Sequence, residues 1–350
     1  MAAILDAIIE HAIRFRASDI HIKVGAAPIY RIDGLICHSD LPPVQEEGLQ
    51  SIFSMLKVNV RDLEARKQTD TSFQMNNIRF RVHAYETSSG YSVALRPIPV
   101  RIPSPIELEL PEIVSSFQDY TDGLILITGA TGSGKSTTLA SIIQQINLTA
   151  RKHIITIEHP IEFIFSEGKC LVDQREIGTN VTDFTDAISG AMREDPDIVL
   201  IGEMRDLETM KLALTLAETG HLVFGTLHSK NVPETPERII DVFPEAQQNQ
   251  IRLQLANTLQ AVVNQRLVPR LGGGRVPVCE VMVLNNALRG MIRSKVAPNA
   301  IRDELNSNKQ CQTRTQSVVN LFLKNKIDLE TALAYSEEKE EILLKMIRGK

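Results

Sequence analysis

Leu124-Ile125-Leu126-Ile127-Thr128-Gly129-Ala130-Thr131-Gly132-Ser133-Gly134-Lys135-Ser136-Thr137-Thr138 is the stretch on which the reading of this chain turns. The aliphatic run reads as a fully buried strand. It breaks into a glycine-rich loop and then into a helix-compatible run, Thr137 to Ile146. Gly129, Gly134, Lys135 and Ser136 fit G-x-x-x-x-G-K-[ST] in the strand–loop–helix context that a phosphate-binding loop requires. Glycines let backbone N–H groups turn inward around phosphates, and the helix presents its positive end to them. Gly129, Ala130, Thr131, Gly132, Ser133, Gly134, Lys135, Ser136 and Thr137 are therefore the candidate cradle for ATP. Lys135 is the residue to reach the β- and γ-phosphates, and the Ser136 hydroxyl is the candidate Mg2+ ligand.

Downstream, apolar strands recur between helical stretches: His153–Ile157, Ile198–Ile201 and Leu222–Gly225. That alternation predicts an α/β domain with a parallel sheet covered on both faces. In such a sheet ligands gather at the carboxyl ends of the strands. The first strand delivers Glu158, placed to hold magnesium through water or to orient an attacking water, although a solvated strand-end glutamate fits the same pattern. The second ends at Gly202-Glu203. The usual metal-binding aspartate position is Gly202 here, which makes Glu203 the candidate water-activating base. The third is bracketed by His221 and His228. His228 is placed to contact the γ-phosphate or the catalytic glutamate, or to serve as a hydrogen-bonded strand end. Arg193 and Arg205 flank the second acidic strand, and Arg79, Arg81 and Arg96 form a basic group upstream. An arginine delivered to the transferring phosphoryl group is worth about 10³–10⁵ in rate, while a solvated basic face is the plainer reading.

The first hundred residues look like a small α+β domain. Met1 to Arg16 reads as an amphipathic helix. Ile20, Ile22 and Val24 alternate with polar residues, Pro28–Ile32 ends at an Asp33-Gly34 turn signal, and Ile78–Tyr85 and Tyr91–Arg96 are further strands. Pro97, Pro99, Pro103, Pro105 and Pro111 stiffen a connector, so the expected organisation is 1–97, a linker 98–112, and 113–350. Within the last part, Ile251, Leu255, Leu259 and Val262 share one stripe, predicting a helix from Pro244 to about Arg266. Gly272-Gly273-Gly274 and Val276–Leu284 suggest a late hairpin. The rest is helical and polar.

Composition bounds the function. The 350 residues are 43% hydrophobic and 23% charged, with a net charge of −5, so a general affinity for nucleic acid is not expected. Cys37, Cys170, Cys279 and Cys311 are far apart and form no C-x-x-C pair, which fits a reducing cytosol. No apolar run approaches the ~20 residues that span a bilayer.

Together these stretches resemble the secretion-superfamily ATPases, most closely the branch that retracts type IV pili. The resemblance rests on Ala17-Ser18-Asp19-Ile20-His21, Arg79-Phe80-Arg81-Val82, the phosphate-binding loop, Thr156 to Phe163, Arg193-Glu194-Asp195-Pro196-Asp197 through Asp206, Gly220-His221 through His228, and Gln265-Arg266-Leu267 followed by Gly272-Gly273-Gly274-Arg275. It implies a PAS-like first domain, a RecA-like ATPase domain and a ring, usually a hexamer. It implies Glu203 as catalytic base, Glu158 as helper to magnesium and water, and His228 as nucleotide sensor. Arg81 and Arg96 would reach the phosphates. The implied partners are an inner-membrane pilus platform protein and a paralogous ATPase, with the motor cytoplasmic and peripheral to that membrane. Two positions depart from the pattern. His159 replaces an aspartate beside Glu158. The retraction signature A-I-R-N-L-I-R-E appears as Ala287-Leu288-Arg289-Gly290-Met291-Ile292-Arg293-Ser294. Three further readings stay open: an accessory or weakly hydrolysing subunit, a pilus assembly or type II secretion ATPase, and a nucleic-acid translocase.

Overall fold

Ile20 and Ile22, Phe80, Val82 and Ala84, and Val93 and Leu95 occupy alternate strand positions, and all are buried. They form the inner face of a six-stranded antiparallel sheet in a computed structural model whose described residues are 2–15, 17–32, 35–75, 78–98, 101–337 and 339. The chain divides into two compact units, residues 1–101 and 102–350. The Asp33-Gly34 turn and nearly all of the final stretch lie outside the described residues.

The first unit runs α1 (Ala2–Arg14), β1 (Asp19–Lys23), β2 (Ile29–Ile32), β3 (Leu35–His38), α2 (Glu46–Met55), α3 (Val60–Arg66), β4 (Gln68–Met75), β5 (Ile78–Thr87) and β6 (Gly90–Ile98). The sheet order is β3-β2-β1-β6-β5-β4. Leu5, Ile8, Ile9 and Ala12 of α1 and Leu49, Ile52 and Phe53 of α2 close its inner face into one core. The Tyr30 hydroxyl donates to the Ile8 carbonyl across that core at 3.1 Å. Period-2 alternation then leaves the odd positions, Asp19, Arg31 and Arg81, and also Arg96, on the opposite face.

The second unit contains α4 (Glu112–Ser115), β7 (Gly123–Thr128), α5 (Lys135–Thr149), β8 (His153–Glu158), β9 (Leu171–Glu176), α6 (Phe184–Ala191), β10 (Ile198–Ile201), α7 (Leu207–Glu218) and β11 (Leu222–Leu227). It continues through α8 (Thr235–Ile240), α9 (Glu245–Thr258), β12 (Leu259–Pro269), β13 (Arg275–Val283), α10 (Asn286–Arg293), α11 (Pro298–Ser307), α12 (Arg314–Leu323) and α13 (Leu329–Tyr335). Its sheet has the order β13-β12-β7-β11-β10-β8-β9. Every neighbouring pair is parallel except β12 and β13. Along β7, Leu124 and Leu126 pack into one core and Ile125 and Ile127 into the other, as expected of a strand covered on both faces. Among the described residues no helix is long and apolar enough to cross a membrane.

One expectation is overturned. The helix predicted from Pro244 to about Arg266 ends at Thr258, and Leu259–Pro269 is the strand β12. The apolar stripe runs on across the junction, but Val262 and Val263 are β-branched and pair with β7 and β13. Sheet pairing and burial on both sides outweigh the helical spacing. The late hairpin is β12–β13 itself, turned at Gly272, Gly273 and Gly274, whose φ angles are all positive.

Candidate active site

Four neighbouring parallel strands, β7, β11, β10 and β8, end on the same side of the sheet. Their register places Leu126, Gly225, Ile201 and Ile157 in one row. The chain leaving each strand therefore supplies, respectively, the glycine loop, His228, Glu203 and Glu158. Sequence-distant residues meet here because a doubly covered parallel sheet exposes its strand ends.

The glycine loop turns through Gly129, Gly132 and Gly134, all with positive φ, and Gly134 caps the first turn of α5. Ala130, Thr131 and Gly132 are exposed at its rim, while Ser133 is buried. Lys135 folds back so that Nζ donates to the carbonyl oxygens of Gly129 and Ala130, each at 3.0 Å. Burial pulls its ammonium below the usual lysine range, and Glu203 and Glu162 push in the other direction. Ser136 and Thr137 follow in the first turn of α5.

Gln265 of β12 braces the loop. Its Nε2 donates to the Ser133 carbonyl at 2.8 Å, and its Oε1 accepts from the Thr138 hydroxyl at 2.8 Å. A Cβ on Gly129 would run into the Gln265 carbonyl oxygen, and one on Gly134 would lie 2.7 Å from Gln265 Nε2. These two glycines are required by close approach as well as by φ. Sequence reasoning assigned no role to Gln265; the signal for it was the polar triplet Asn264-Gln265-Arg266 interrupting an apolar run.

Glu203 sits between Arg205 and His228. Arg205 Nη2 lies 2.6 Å from Oε2, and His228 Nε2 lies 3.2 Å from Oε1. Burial pushes its carboxyl up, but the hydrogen bond and charge of Arg205, with His228 beside it, hold it below the usual carboxylate range. The His228 contact has ion-pair distance without hydrogen-bond alignment, so Oε1 remains a buried acceptor with no aligned donor. His228 Nδ1 is 3.0 Å from the Gly129 carbonyl oxygen. A carbonyl only accepts, so Nδ1 carries the hydrogen and Nε2 faces Glu203. His228 thus bridges the glycine loop and the candidate base. His221, at the other end of β11, is bound by Thr219 and the Leu216 carbonyl.

Glu158 accepts from the Thr156 hydroxyl at 2.7 Å and from Gln174 Nε2 at 3.4 Å. Part of the side chain still meets the surface, yet its carboxyl is enclosed, and burial pushes it up to about 7. Gly202 explains the missing aspartate of the second acidic strand. A Cβ there would lie 3.1 Å from the Ile157 carbonyl and 3.3 Å from Glu158 Cα, displacing the residue beside it. His159 is exposed and finds no hydrogen-bond or ion-pair partner among the described residues. Arg193 is exposed in the turn between α6 and β10, at the amino end of β10, and the strand-end cluster does not include it.

Two of the upstream arginines, Arg81 and Arg96, lie in one row with Arg31 across the first unit, and Arg79, two residues before Arg81, pairs with Ile98 and Gln74. Arg31 pairs with Asp19, and Arg96 with Arg81, which pairs in turn with Ser72. Arg96 grips Asp19 Oδ1 through Nε at 2.9 Å and Nη2 at 2.7 Å. Burial raises the Asp19 carboxyl, and Arg96 and the Ser18 hydroxyl more than reverse this. The half-buried Arg81 has no such partner among the described residues. Asp19 was quoted only as part of a motif; its pairing depends on strand order.

Two observations bear on a magnesium nucleotide. Among the described residues the buried Ser133 hydroxyl has no partner, and Glu203 Oε1 lacks an aligned donor. Both polar atoms sit where phosphates and a water would meet protein. With Ser136 at the helix start, the residues present fit the group.

The Type II/IV secretion system protein family matches residues 1–330 of the chain. The chain is 42% identical over 320 residues to the type IV pilus retraction ATPase PilT of Pseudomonas aeruginosa, covering 90% of this chain and 93% of that one. It is 34% identical over 338 residues to the type IV pilus ATPase PilU of the same organism, covering 95% and 88%. A crystal structure of the pilus retraction motor PilT with bound ADP superposes with a TM-score of 0.89 at 43% identity, covering 95% of this chain and 97% of that one. The chain belongs to the Type II/IV secretion system protein family.

Proposed function

We propose that this chain hydrolyses ATP, with Mg2+, as the subunit of a ring-forming motor that retracts type IV pili. One observation carries the reading: four adjacent strand ends assemble Lys135, His228, Glu203 and Glu158, and His228 touches both the glycine loop and Glu203. Glu203 is ionised near neutral pH and presents an unpaired acceptor, so it orients the attacking water and draws on its proton. Lys135 leaves the Gly129 and Ala130 carbonyls for the phosphate oxygens, a stronger, charge-assisted partner. Ser136, with Glu158 acting through water, would hold Mg2+, which would supply positive charge to the phosphates. Arg81 and Arg96 would add positive charge where the transition state spreads its negative charge, whereas Arg193, at the other end of β10, has no part in this chemistry.

A homo-hexamer, a pilus platform protein at the inner membrane and a cytoplasmic, peripheral location belong to the same reading. A second reading has one observation behind it. With the exposed His159 in place of an acid beside Glu158, the chain would bind ATP, turn it over slowly and assist a paralogous ATPase.

ATP turnover per protomer, measured against protein concentration for the wild type and Glu203→Gln, separates the two. A motor gives a rate that rises with concentration and falls about 10²–10⁴-fold in the variant. Tight ATP binding with negligible wild-type turnover would sink the autonomous motor and leave the accessory subunit.

A further inference from the structure

Behind the strand ends lies a buried charged cluster that the proposed chemistry does not use. Arg314, the first residue of α12, is only 6% exposed. Its Nη2 donates to the Lys230 carbonyl at 3.0 Å and to Asn264 Oδ1 at 3.3 Å, and lies 3.5 Å from Glu280 Oε2. Its Nη1 pairs with Glu337, whose other oxygen is 2.9 Å from Arg302 Nη1. Glu280, 1% exposed, accepts from the Val232 backbone N–H at 2.9 Å. Asn264, 2% exposed, donates through Nδ2 to both Thr128 Oγ1 and the Ser229 carbonyl, each at 3.0 Å.

These contacts converge on one short segment. Ser229, Lys230 and Val232 are tied through their backbones by Asn264, Arg314 and Glu280 in turn. The segment begins immediately after His228. Thr128, the other partner of Asn264, immediately precedes Gly129, whose carbonyl faces His228. The residue after His228 and the residue before Gly129 are thus both held by Asn264, so the cluster sets the loop end of the bridge and the histidine itself.

Stability does not account for the charges. Buried ion pairs are often no better than apolar groups of equal volume, because desolvation cancels the attraction. Packing of α12 on β13 is already supplied by Val318 and Leu321 against Val276 and Val278, and by Ser317 Oγ accepting from the Cys279 N–H at 3.0 Å. What the fork of Arg314 adds is direction: it fixes carbonyls and carboxylates at defined angles, which apolar packing does not.

We propose that Arg314, with Glu280 and Asn264, is a positioning cluster for ATP hydrolysis. It holds the 229–232 backbone so that His228 spans the glycine loop and Glu203, and it ties that bridge to α12 and Glu337. It rests on the reading of His228 given above.

A double-mutant cycle tests it. Arg314→Met with Glu280→Met removes both charges at nearly constant volume. Melting temperature and nucleotide binding check the fold, and kcat and KM for ATP are then measured with and without His228→Ala. The expected result is a folded protein whose kcat falls on the order of 10- to 100-fold, the cost of a small misplacement, with KM moving far less. In the His228→Ala background the same pair should change kcat by less than about twofold, because the two act through one contact. Arg314→Lys keeps the charge without the fork and supplies the same cycle should the paired variant not fold. Wild-type kcat in either folded variant, or losses that multiply with that of His228→Ala, overturns the cluster. Full turnover by His228→Ala alone instead overturns the reading of His228, and the route through it.

Discussion

The two sheets of this chain carry their charged residues in opposite ways. In the antiparallel sheet of the first unit, one face is covered by α1 and α2, and Arg31, Asp19, Arg96 and Arg81 line up across the other. In the parallel sheet of the second unit both faces are covered, so chemistry is confined to the strand ends. A charge on an open face has many structural explanations. A charge that ends a buried aliphatic run has few, because the strand has already spent its length excluding water. The arginine row is therefore where the proposed function is easiest to break.

Arg81→Ala is the sharpest attempt. If Arg81 acts on the transition state, turnover should fall by about 10³, the lower end of what a phosphate-directed arginine supplies. If the row is only a solvated lattice, turnover stays at wild type and the comparison between the sheets collapses into surface against site. Stability cannot mimic the first outcome. Even the exposed Arg96–Asp19 pair should contribute only about 0–1 kcal/mol, so the melting temperature of Arg81→Ala should hardly move.

Within the strand-end cluster, the two glutamates differ in a way that pH exposes. Burial raises Glu158 from 4.5 to about 7, while Arg205 and His228 keep Glu203 low despite burial. For Glu158 the folded state keeps its proton longer than the unfolded chain does. Its contribution is fully present below pH 4.5 and is lost as pH rises through about 7, at most about 3 kcal/mol in all. Glu158→Gln keeps an acceptor for Thr156 and cannot ionise. Its melting temperature should therefore rise relative to that of the wild type between pH 4.5 and 7, and should exceed it at pH 8. Parallel profiles for the two proteins would show that the carboxyl is not desolvated.

The same contrast explains what was legible beforehand. The glycine loop carries its own motif, and Glu158, Glu203 and His228 each follow an apolar run, so motif and strand pattern located them while the resemblance supplied their roles. The contact of His228 with Glu203 is among those its position suggests, whereas its bond to the Gly129 carbonyl was not legible, because parallel register rather than spacing brings the two together. Gln265, Asn264 and Arg314 were missed because their partners lie in other elements far along the chain. The strand β12 was read as helix because a stripe at spacings of four and three ran through the α9–β12 junction, and only pairing with β7 distinguishes the two.

The smallest expected effect concerns α10, where the chain departs from the retraction signature. Arg289 donates through Nη1 to the carbonyls of Ala256 and Asn257 and through Nη2 to Gln260, and Arg293 Nη2 reaches Asn257 Oδ1 at 2.7 Å. Both arginines thus hold the end of α9, where unpaired carbonyls collect. Beyond its own helix, a Cβ on Gly290 would meet no atom of the described residues within 4 Å. Gly290→Asn should therefore fit without strain and stabilise α10 by a few tenths of a kcal/mol, the difference in helix propensity. ATP turnover should be unchanged. A turnover change with an unaltered melting temperature would mean that the α10 surface communicates with the strand ends. Chemistry would then no longer be confined to one edge of the parallel sheet, and the division drawn between the two units would have to be redrawn inside the second.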